Sequence, residues 1–462
     1  MIAICGPKLR GLTAASWGPW LATLLVGLVA CGGDGANDGG GEGGAATDAG
    51  SGGVAGTGGT SGTGGTSGAG GEAPSFAKLE ALLTDKVADG SIHGYAVQIY
   101  NGDDSLLFES DGGICFSPQY ACPAGNQPFT VDLVTGVASS SKWVTSTVLL
   151  AALDNLVAAG TIPSVAAGLD ATVGDVLSGT CGADNLGRGA TVTVRQLLSF
   201  TSGLLPDHDC VGDSSYTMKT CACQILADSA AVEVDGPNAG TAAKNAQPPG
   251  SVFKYGAAQQ VVAAAMVEVA TGQSYADLYE SRVRQPTGIE ATYQDPMNIS
   301  GSLRASVADY AKFVRTVFHD GQPGANAVVL SPAAVQEQEK SQMPPGVVYL
   351  SQLQPGLEYG LNTWRWCYQD IDAETLLSFG RDPNSFEPAD VLAMQDSSCI
   401  GVHQQGHGGK GGYQPFVDRK RGFYGVFAMR EPSPGAGDQY SFSELALTAV
   451  VRLYAGLVVD QL

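Results

Sequence analysis

The sequence is short of positive charge. Its 462 residues include 24 lysines and arginines against 45 aspartates and glutamates, so the formal net charge is −21 at pH 7. A surface of this sign repels nucleic acid phosphates and anionic lipid headgroups. The composition therefore argues against nucleic acid as a partner, and against a membrane as a partner of the folded part.

Near the N-terminus the chain also lacks an apolar run of full membrane-spanning length. The run over residues 17–30 is shorter than the roughly 20 residues that a transmembrane helix needs. It follows two basic residues and ends in Leu28-Val29-Ala30-Cys31, which is typical of an export signal with a lipobox. We expect residues 1–30 to be a lipoprotein signal peptide and Cys31 to be lipidated, which predicts an exported bacterial lipoprotein facing the periplasm or cell surface. A transmembrane anchor is the alternative.

Large apolar side chains are scarce in residues 31–75, which consist mainly of Gly, Ser, Thr and Ala. Such a segment buries too little surface to offset the entropy of ordering. We interpret it as a flexible tether, and we expect residues 76–462 to form one folded domain.

Eight cysteines follow Cys31. An even number in an exported chain favours disulfides over metal sites. Two pairs of neighbours are plausible: Cys115–Cys122 and Cys367–Cys399. The pairing of four others stays open: Cys181, Cys210, Cys221 and Cys223. A four-cysteine zinc site is disfavoured because the last two are separated by one residue instead of the usual two.

Strand-like segments lie at both ends of the folded part, with helical segments between them. Residues 76–88 have helical spacing, and two strands joined by a turn follow. Residues 165–345 are mainly helical, whereas 357–430 return to strands before a last helix over 441–457. This order predicts an α+β fold, with an antiparallel β-sheet built from both termini, flanking helices and an inserted helical lobe. A site is expected in the crevice between lobes.

Three consecutive serines precede Lys142: Ser139, Ser140 and Ser141. On an α-helix, residues three apart share a face, so Lys142 lies beside Ser139 and not beside the other two. Ser139 also opens a predicted helix over 139–160, where free N–H groups favour an anion. The pattern predicts Ser139 as a nucleophile and Lys142 as its proton acceptor.

Ser251-Val252-Phe253-Lys254 has the same spacing, so spacing alone does not identify a nucleophile. A helix N-cap with small neighbours is the other interpretation of residues 139–141. The wider sequence context has to decide between them.

That context resembles the serine β-lactamase and penicillin-binding protein superfamily, in particular its class C-like, D-alanyl carboxypeptidase and esterase branch. DLVTGVASSSKWVTSTVLLAALDNLVAAG resembles the active-site helix, and TVTVRQLLSFTSGL the signature loop, with Phe200 where histidine is usual. Further similar segments follow in the family's order: 248–289, 302–321 and 406–429. The resemblance runs from about residue 80 to 455 and implies a β-lactamase/transpeptidase-like serine hydrolase.

The resemblance implies a role for each matching residue. Ser139 and Lys142 match the nucleophile and its lysine, and Tyr255 matches a tyrosine that acts as base or proton relay. His407-Gly408-Gly409 matches the third motif in its H-x-G form, and the N–H of Lys410 would join that of Ser139 in an oxyanion hole. No cofactor or metal is implied. The expected partner is a small molecule or peptide with an ester, amide or β-lactam carbonyl.

Two positions depart from the family pattern. Ala257 stands where asparagine is usual, and His407 stands where the lysine of K-T-G is usual, although Lys410-Gly411-Gly412 offers a second register. Both changes weaken recognition of the carboxylate beside the scissile bond of a β-lactam. They are more common in esterase-like and peptidase-like members.

Three other functions are alternatives to this one. A serine hydrolase with a nucleophile elbow is disfavoured, because no G-x-S-x-G follows the tether. A metal site using His403 and His407 is disfavoured by the glycine-rich surroundings, which argue against a helix there. A catalytically impaired, penicillin-binding-like lipoprotein that binds cell-wall peptides without turnover is the main alternative.

Overall fold

The computed structural model describes residues 73–115, 122, 126–231, 246–324, 327–350, 358–367, 371–381, 404–430 and 442–462. The predicted signal peptide, Cys31 and almost all of the predicted tether lie outside these residues. Within the described ranges, no helix is both long and apolar enough to cross a bilayer.

The described strands, in chain order, are β1 Gly94–Asn101, β2 Leu106–Cys115, β3 Gln127–Pro128, β4 Thr135–Gly136, β5 Val252–Phe253, β6 Thr292–Tyr293, β7 Leu303–Ala305, β8 Val348–Tyr349, β9 Glu358–Tyr359, β10 Trp364–Trp366, β11 Gln404–Gly406, β12 Tyr413–Asp418 and β13 Phe423–Arg430. The described α-helices are α1 Phe76–Ala88, α2 Ser141–Ala158, α3 Val165–Leu169, α4 Val173–Cys181, α5 Val194–Leu198, α6 Met218–Ala231, α7 Ala258–Thr271, α8 Tyr275–Tyr279, α9 Gln285–Thr287, α10 Val307–Phe318, α11 Pro332–Glu339, α12 Ala373–Arg381 and α13 Phe442–Val459.

The main sheet joins the two ends of the folded part. Its eight strands are antiparallel in the order β3-β2-β1-β13-β12-β11-β10-β9. β1 pairs with β13 along its whole length, from Gly94 opposite Arg430 to Asn101 opposite Phe423. The predicted sheet from both termini, with helices inserted between, is confirmed.

The central strands of this sheet are buried on both faces. Side chains alternate along a strand, so Val97 and Phe427 pack in a core with residues of α1, α12 and α13. Their neighbours Ala96 and Val426 pack in a second core, which includes α2, α7 and α10. The sheet therefore separates the terminal helices from the helical lobe.

The predicted helix over 139–160 begins differently from expectation. Ala138–Ser140 form a 3₁₀ turn, and α2 starts only at Ser141. Side chains three residues apart eclipse in a 3₁₀ turn, so Ser139 and Lys142 still lie on the same face. The first thirteen residues of α2 are buried, through Leu153, and the buried polar residues among them form hydrogen bonds, such as that from Thr145 to the Ile299 carbonyl oxygen.

Disulfides lie both beside the main sheet and in the helical lobe. Cys115 is bonded to Cys122, as predicted. The four cysteines whose pairing the sequence does not determine form the disulfides Cys181–Cys223 and Cys210–Cys221. Cys367 is also disulfide-bonded, and its predicted partner Cys399 lies outside the described residues.

Candidate active site

Three segments from distant parts of the chain meet where the lobes join. The 3₁₀ turn before α2 carries Ser139. The loop between β5 and α7 carries Tyr255, and His407 directly follows the last residue of β11. Each segment ends or begins a rigid element, so the fold fixes the positions of these side chains.

Ser139 and Lys142 contact each other. Lys142 Nζ donates to Ser139 Oγ at 3.3 Å and to the carbonyl oxygen of Ser300 at 3.0 Å. Lys142 is only 3% exposed, whereas Ser139 is half-buried. Ser139 is thus partly exposed, while the amine beside it is shielded from water.

The burial of Lys142 changes its acidity. Loss of solvation lowers the pKa of its ammonium from 10.5 to about 7, although the charge of Asp207 acts in the opposite direction. An amine with a pKa near neutrality is partly unprotonated at physiological pH, and therefore able to accept the proton of a neighbouring hydroxyl.

Tyr255 lies next to Lys142, and His407 lies next to Tyr255. The ring centroid of Tyr255 lies 4.7 Å from Lys142 Nζ, and the Tyr255 hydroxyl lies 3.3 Å from His407 Nε2. All four side chains that the sequence pattern selected lie together at this point of the fold.

His407 is fully buried and neutral. Its Nδ1 is 2.9 Å from the carbonyl oxygen of Gly408; a carbonyl only accepts, so Nδ1 carries the ring proton and Nε2 is an acceptor. Nε2 faces the hydroxyls of Tyr255 and Tyr359, the latter at 3.1 Å. Burial, and then the charge of Lys142, lower the pKa of His407 to about 3. This residue therefore does not replace the positive charge of a K-T-G lysine.

The glycines after His407 bring the backbone against the nucleophile turn. A side chain at Gly409 would overlap the Val137 carbonyl oxygen, so only glycine fits there. Gly409 N donates to Tyr413 O at 2.7 Å, which closes a turn that holds Lys410 at its tip. Gly411 and Gly412 have φ of 89° and 85°, and the second register, Lys410-Gly411-Gly412, therefore forms this turn and not a substrate-binding strand.

Two neighbours of the site carried no sequence signal. The Ser300 carbonyl holds Lys142 Nζ. The side chain of Asn362 donates to the Lys142 carbonyl oxygen at 3.0 Å and accepts from Gln260. The first contact uses a backbone oxygen and the second joins residues 220 positions apart, so no local pattern could reveal either.

The sequence model of the Beta-lactamase family matches residues 79–449. No curated protein matches. Among solved structures, a Bacteroides dorei DSM 17855 protein assigned as a beta-lactamase is 22% identical, with a TM-score of 0.57 and coverage of 82% of this chain and 98% of that one.

Two further structures show the same fold. The D-amino acid amidase from Ochrobactrum anthropi SV3 is 18% identical, with a TM-score of 0.53 and coverage of 84% of this chain and 98% of that one. EstCE1, a hydrolase with promiscuous acyltransferase activity, is 17% identical, with a TM-score of 0.53 and coverage of 81% and 98%. The family match spans most of the chain, and the protein therefore belongs to the beta-lactamase family, with the α+β fold of serine β-lactamases and penicillin-binding proteins.

Proposed function

We propose that the protein is a serine hydrolase that cleaves an ester or amide through an acyl-enzyme. One observation carries the proposal: Ser139 Oγ lies 3.3 Å from the amine of a buried lysine, and burial lowers the pKa of that amine to about 7. This is the arrangement that a serine needs to attack a carbonyl at neutral pH.

The reaction proceeds in two steps. Ser139 Oγ attacks the carbonyl carbon as Lys142 takes its proton, and the N–H groups of Ser139 and Lys410 stabilise the oxyanion. Collapse of the tetrahedral intermediate then breaks the bond between the carbonyl carbon and the alcohol or amine. This leaving group takes the proton that Lys142 and Tyr255 relay. Water then attacks the acyl-enzyme and releases the acid, and Ser139 regains its proton.

The substrate side of the site does not favour substrates that carry a carboxylate beside the scissile bond. His407 is neutral and offers no positive charge to a substrate carboxylate. Ala257 has no side-chain amide, so the contact that the family's asparagine makes to the substrate amide is missing. Neighbours with this fold include a D-amino acid amidase and EstCE1. We propose that activated short-chain esters and D-amino acid amides turn over faster than penicillins or cephalosporins.

A hydrolysis panel tests this proposal. The purified protein is assayed with p-nitrophenyl acetate, a D-amino acid amide and a chromogenic cephalosporin, with Ser139→Ala as the control. We expect the ester to react fastest and the control to be inactive. A stable acyl adduct without turnover on any substrate would favour the impaired, penicillin-binding-like alternative instead.

We also propose that the mature chain is an exported lipoprotein anchored through Cys31. The lipobox before Cys31 and the glycine-rich segment after it support this proposal. Changing Cys31→Ser should release the protein from the membrane fraction, and retention there would indicate that residues 17–30 anchor the chain directly.

A further inference from the structure

The second serine of the active-site run, Ser140, connects the nucleophile turn to the third motif. Its side chain is completely buried. Ser140 Oγ lies 2.7 Å from the carbonyl oxygen of His407 and 3.0 Å from that of Tyr413. These two carbonyls flank the turn that contains Lys410, so one hydroxyl proton is shared between the two sides of that turn.

The contacts around Ser140 fix the same turn from inside. The Tyr413 carbonyl that receives the Ser140 hydroxyl also receives the N–H of Gly409 at 2.7 Å. On the other side, the Ser140 carbonyl accepts from the Tyr310 hydroxyl at 2.7 Å. Both the main chain and the side chain of Ser140 are therefore held in place. The two predicted donors to the oxyanion are direct neighbours of these fixed residues: Ser139 precedes Ser140, and Lys410 follows Gly409.

A second connection joins these segments without involving Ser140. Arg430 is fully buried, and its guanidinium donates to Gly411 O and to Gly136 O, each at 3.0 Å. Loss of the Ser140 hydroxyl would thus leave the two segments attached, but without the bond closest to Ser139.

We infer that Ser140 is a positioning residue that sets the distance between the backbone N–H groups of Ser139 and Lys410. The inference rests on the proposed function, because those N–H groups are the proposed oxyanion donors. Such donors must lie where the negative charge develops in the transition state. A looser turn would weaken transition-state binding and leave substrate binding nearly unchanged.

The test compares Ser140→Ala with Ser146→Ala in the full-length protein. Ser146 is equally buried on α2, and its hydroxyl donates to the Trp143 carbonyl at 3.0 Å, away from the third motif. Removing a whole oxyanion donor lowers kcat by about 10²–10³. For the displacement caused by Ser140→Ala we expect kcat to fall about tenfold, KM to stay within about twofold, and the inhibition constant of a boronic acid transition-state analogue to rise about tenfold.

Ser146→Ala should lower the melting temperature by a similar amount and leave kcat and the boronic acid constant unchanged. Ser140→Cys, which nearly fills the same space with a weaker donor, should fall between wild type and Ser140→Ala, and it provides the test if the alanine variant is unstable. Equal kcat and boronic acid affinity in the Ser140 and Ser146 variants, with Ser139→Ala inactive, would overturn this inference alone. Full activity of Ser139→Ala would overturn the proposed function as well.

Discussion

Two segments of the chain share the pattern S-x-x-K, yet the fold gives them different geometry. Ser139 lies in a 3₁₀ turn and Lys142 in the first turn of α2, where side chains three apart lie on one face. The segment from Ser251 to Lys254 contains β5, and on a strand such side chains point to opposite faces. The hydroxyl of Ser251 donates instead to Pro248 O at 2.7 Å.

The acidity of the lysines does not separate the two segments. Burial lowers the pKa of Lys142 to about 7 and that of Lys254 to about 8, and the charge of Asp207 opposes the shift in both. What distinguishes Lys142 is its 3.3 Å contact with a half-buried serine hydroxyl. A depressed lysine pKa is therefore not sufficient evidence of catalysis, because secondary structure decides whether the amine meets a nucleophile.

The largest expected difference lies between the serines. Ser139→Ala should abolish ester hydrolysis because it removes the attacking atom, whereas Ser251→Ala removes only a turn contact and should keep kcat/KM within about twofold of wild type. Steady-state kinetics on a p-nitrophenyl ester measures both. A large loss in the Ser251 variant, with its melting temperature unchanged, would contradict the comparison.

The lysines should differ next. Loss of a general base costs about 10²–10⁴ in rate, which we expect for Lys142→Met, whereas Lys254→Met should cost less than about tenfold. Both variants keep the apolar stem in its buried site. Comparable losses of kcat/KM in the two would mean that the pKa, and not the contact with the serine, selects the base.

Lys142→Met should also stabilise the fold at low pH. The pKa of Lys142 in the folded state, about 7, lies below the ordinary 10.5. Burial of the charged amine therefore destabilises the wild type most below pH 7, and this destabilisation decreases as the pH rises toward 10.5. The melting temperature of Lys142→Met should therefore exceed that of wild type by a few degrees at pH 6, and the gap should narrow by pH 9. A gap that widens with pH would contradict the depressed pKa.

The pH profile of kcat/KM gives a smaller effect. Only the unprotonated Lys142 accepts a proton, so activity should rise with pH and level off above about 7. His407, with a pKa lowered to about 3, adds no step between pH 5 and 9. The charge of Asp207 raises the Lys142 pKa, so Asp207→Asn should move the rise of kcat/KM to lower pH. A move to higher pH would contradict the assignment of Lys142 as the base.

The smallest effect concerns the residue before each serine. Ala138 has φ 46° and Gly250 has φ 80°, so a left-handed residue precedes both serines, but only the first is strained by a side chain. Ala138→Gly should raise the free energy of unfolding by up to about 1 kcal/mol, measured by urea denaturation. Clear destabilisation would show that the alanine is unstrained.

Patterns local in sequence predicted the parts of the protein that depend on local geometry. The face shared by Ser139 and Lys142, the Cys115–Cys122 bridge and the strands at both termini are of this kind. The pairing of the other four cysteines does not follow from local sequence, because it depends on how α4 and α6 pack. The bonds from Ser140 to His407 and Tyr413 span more than 260 residues, so the helical face that Ser139 shares with Lys142 gives no indication of a role for Ser140.

Mapping of a covalent adduct tests the central claim most directly. Native protein and protein denatured beforehand are each treated with a fluorophosphonate, which phosphonylates an activated serine, and the labelled peptides are sequenced by mass spectrometry. We predict one label, on Ser139, in the native sample and none in the denatured sample. A label on Ser140, Ser141 or Ser251, or none on a protein that still hydrolyses esters, would contradict the assignment of Ser139 as the nucleophile.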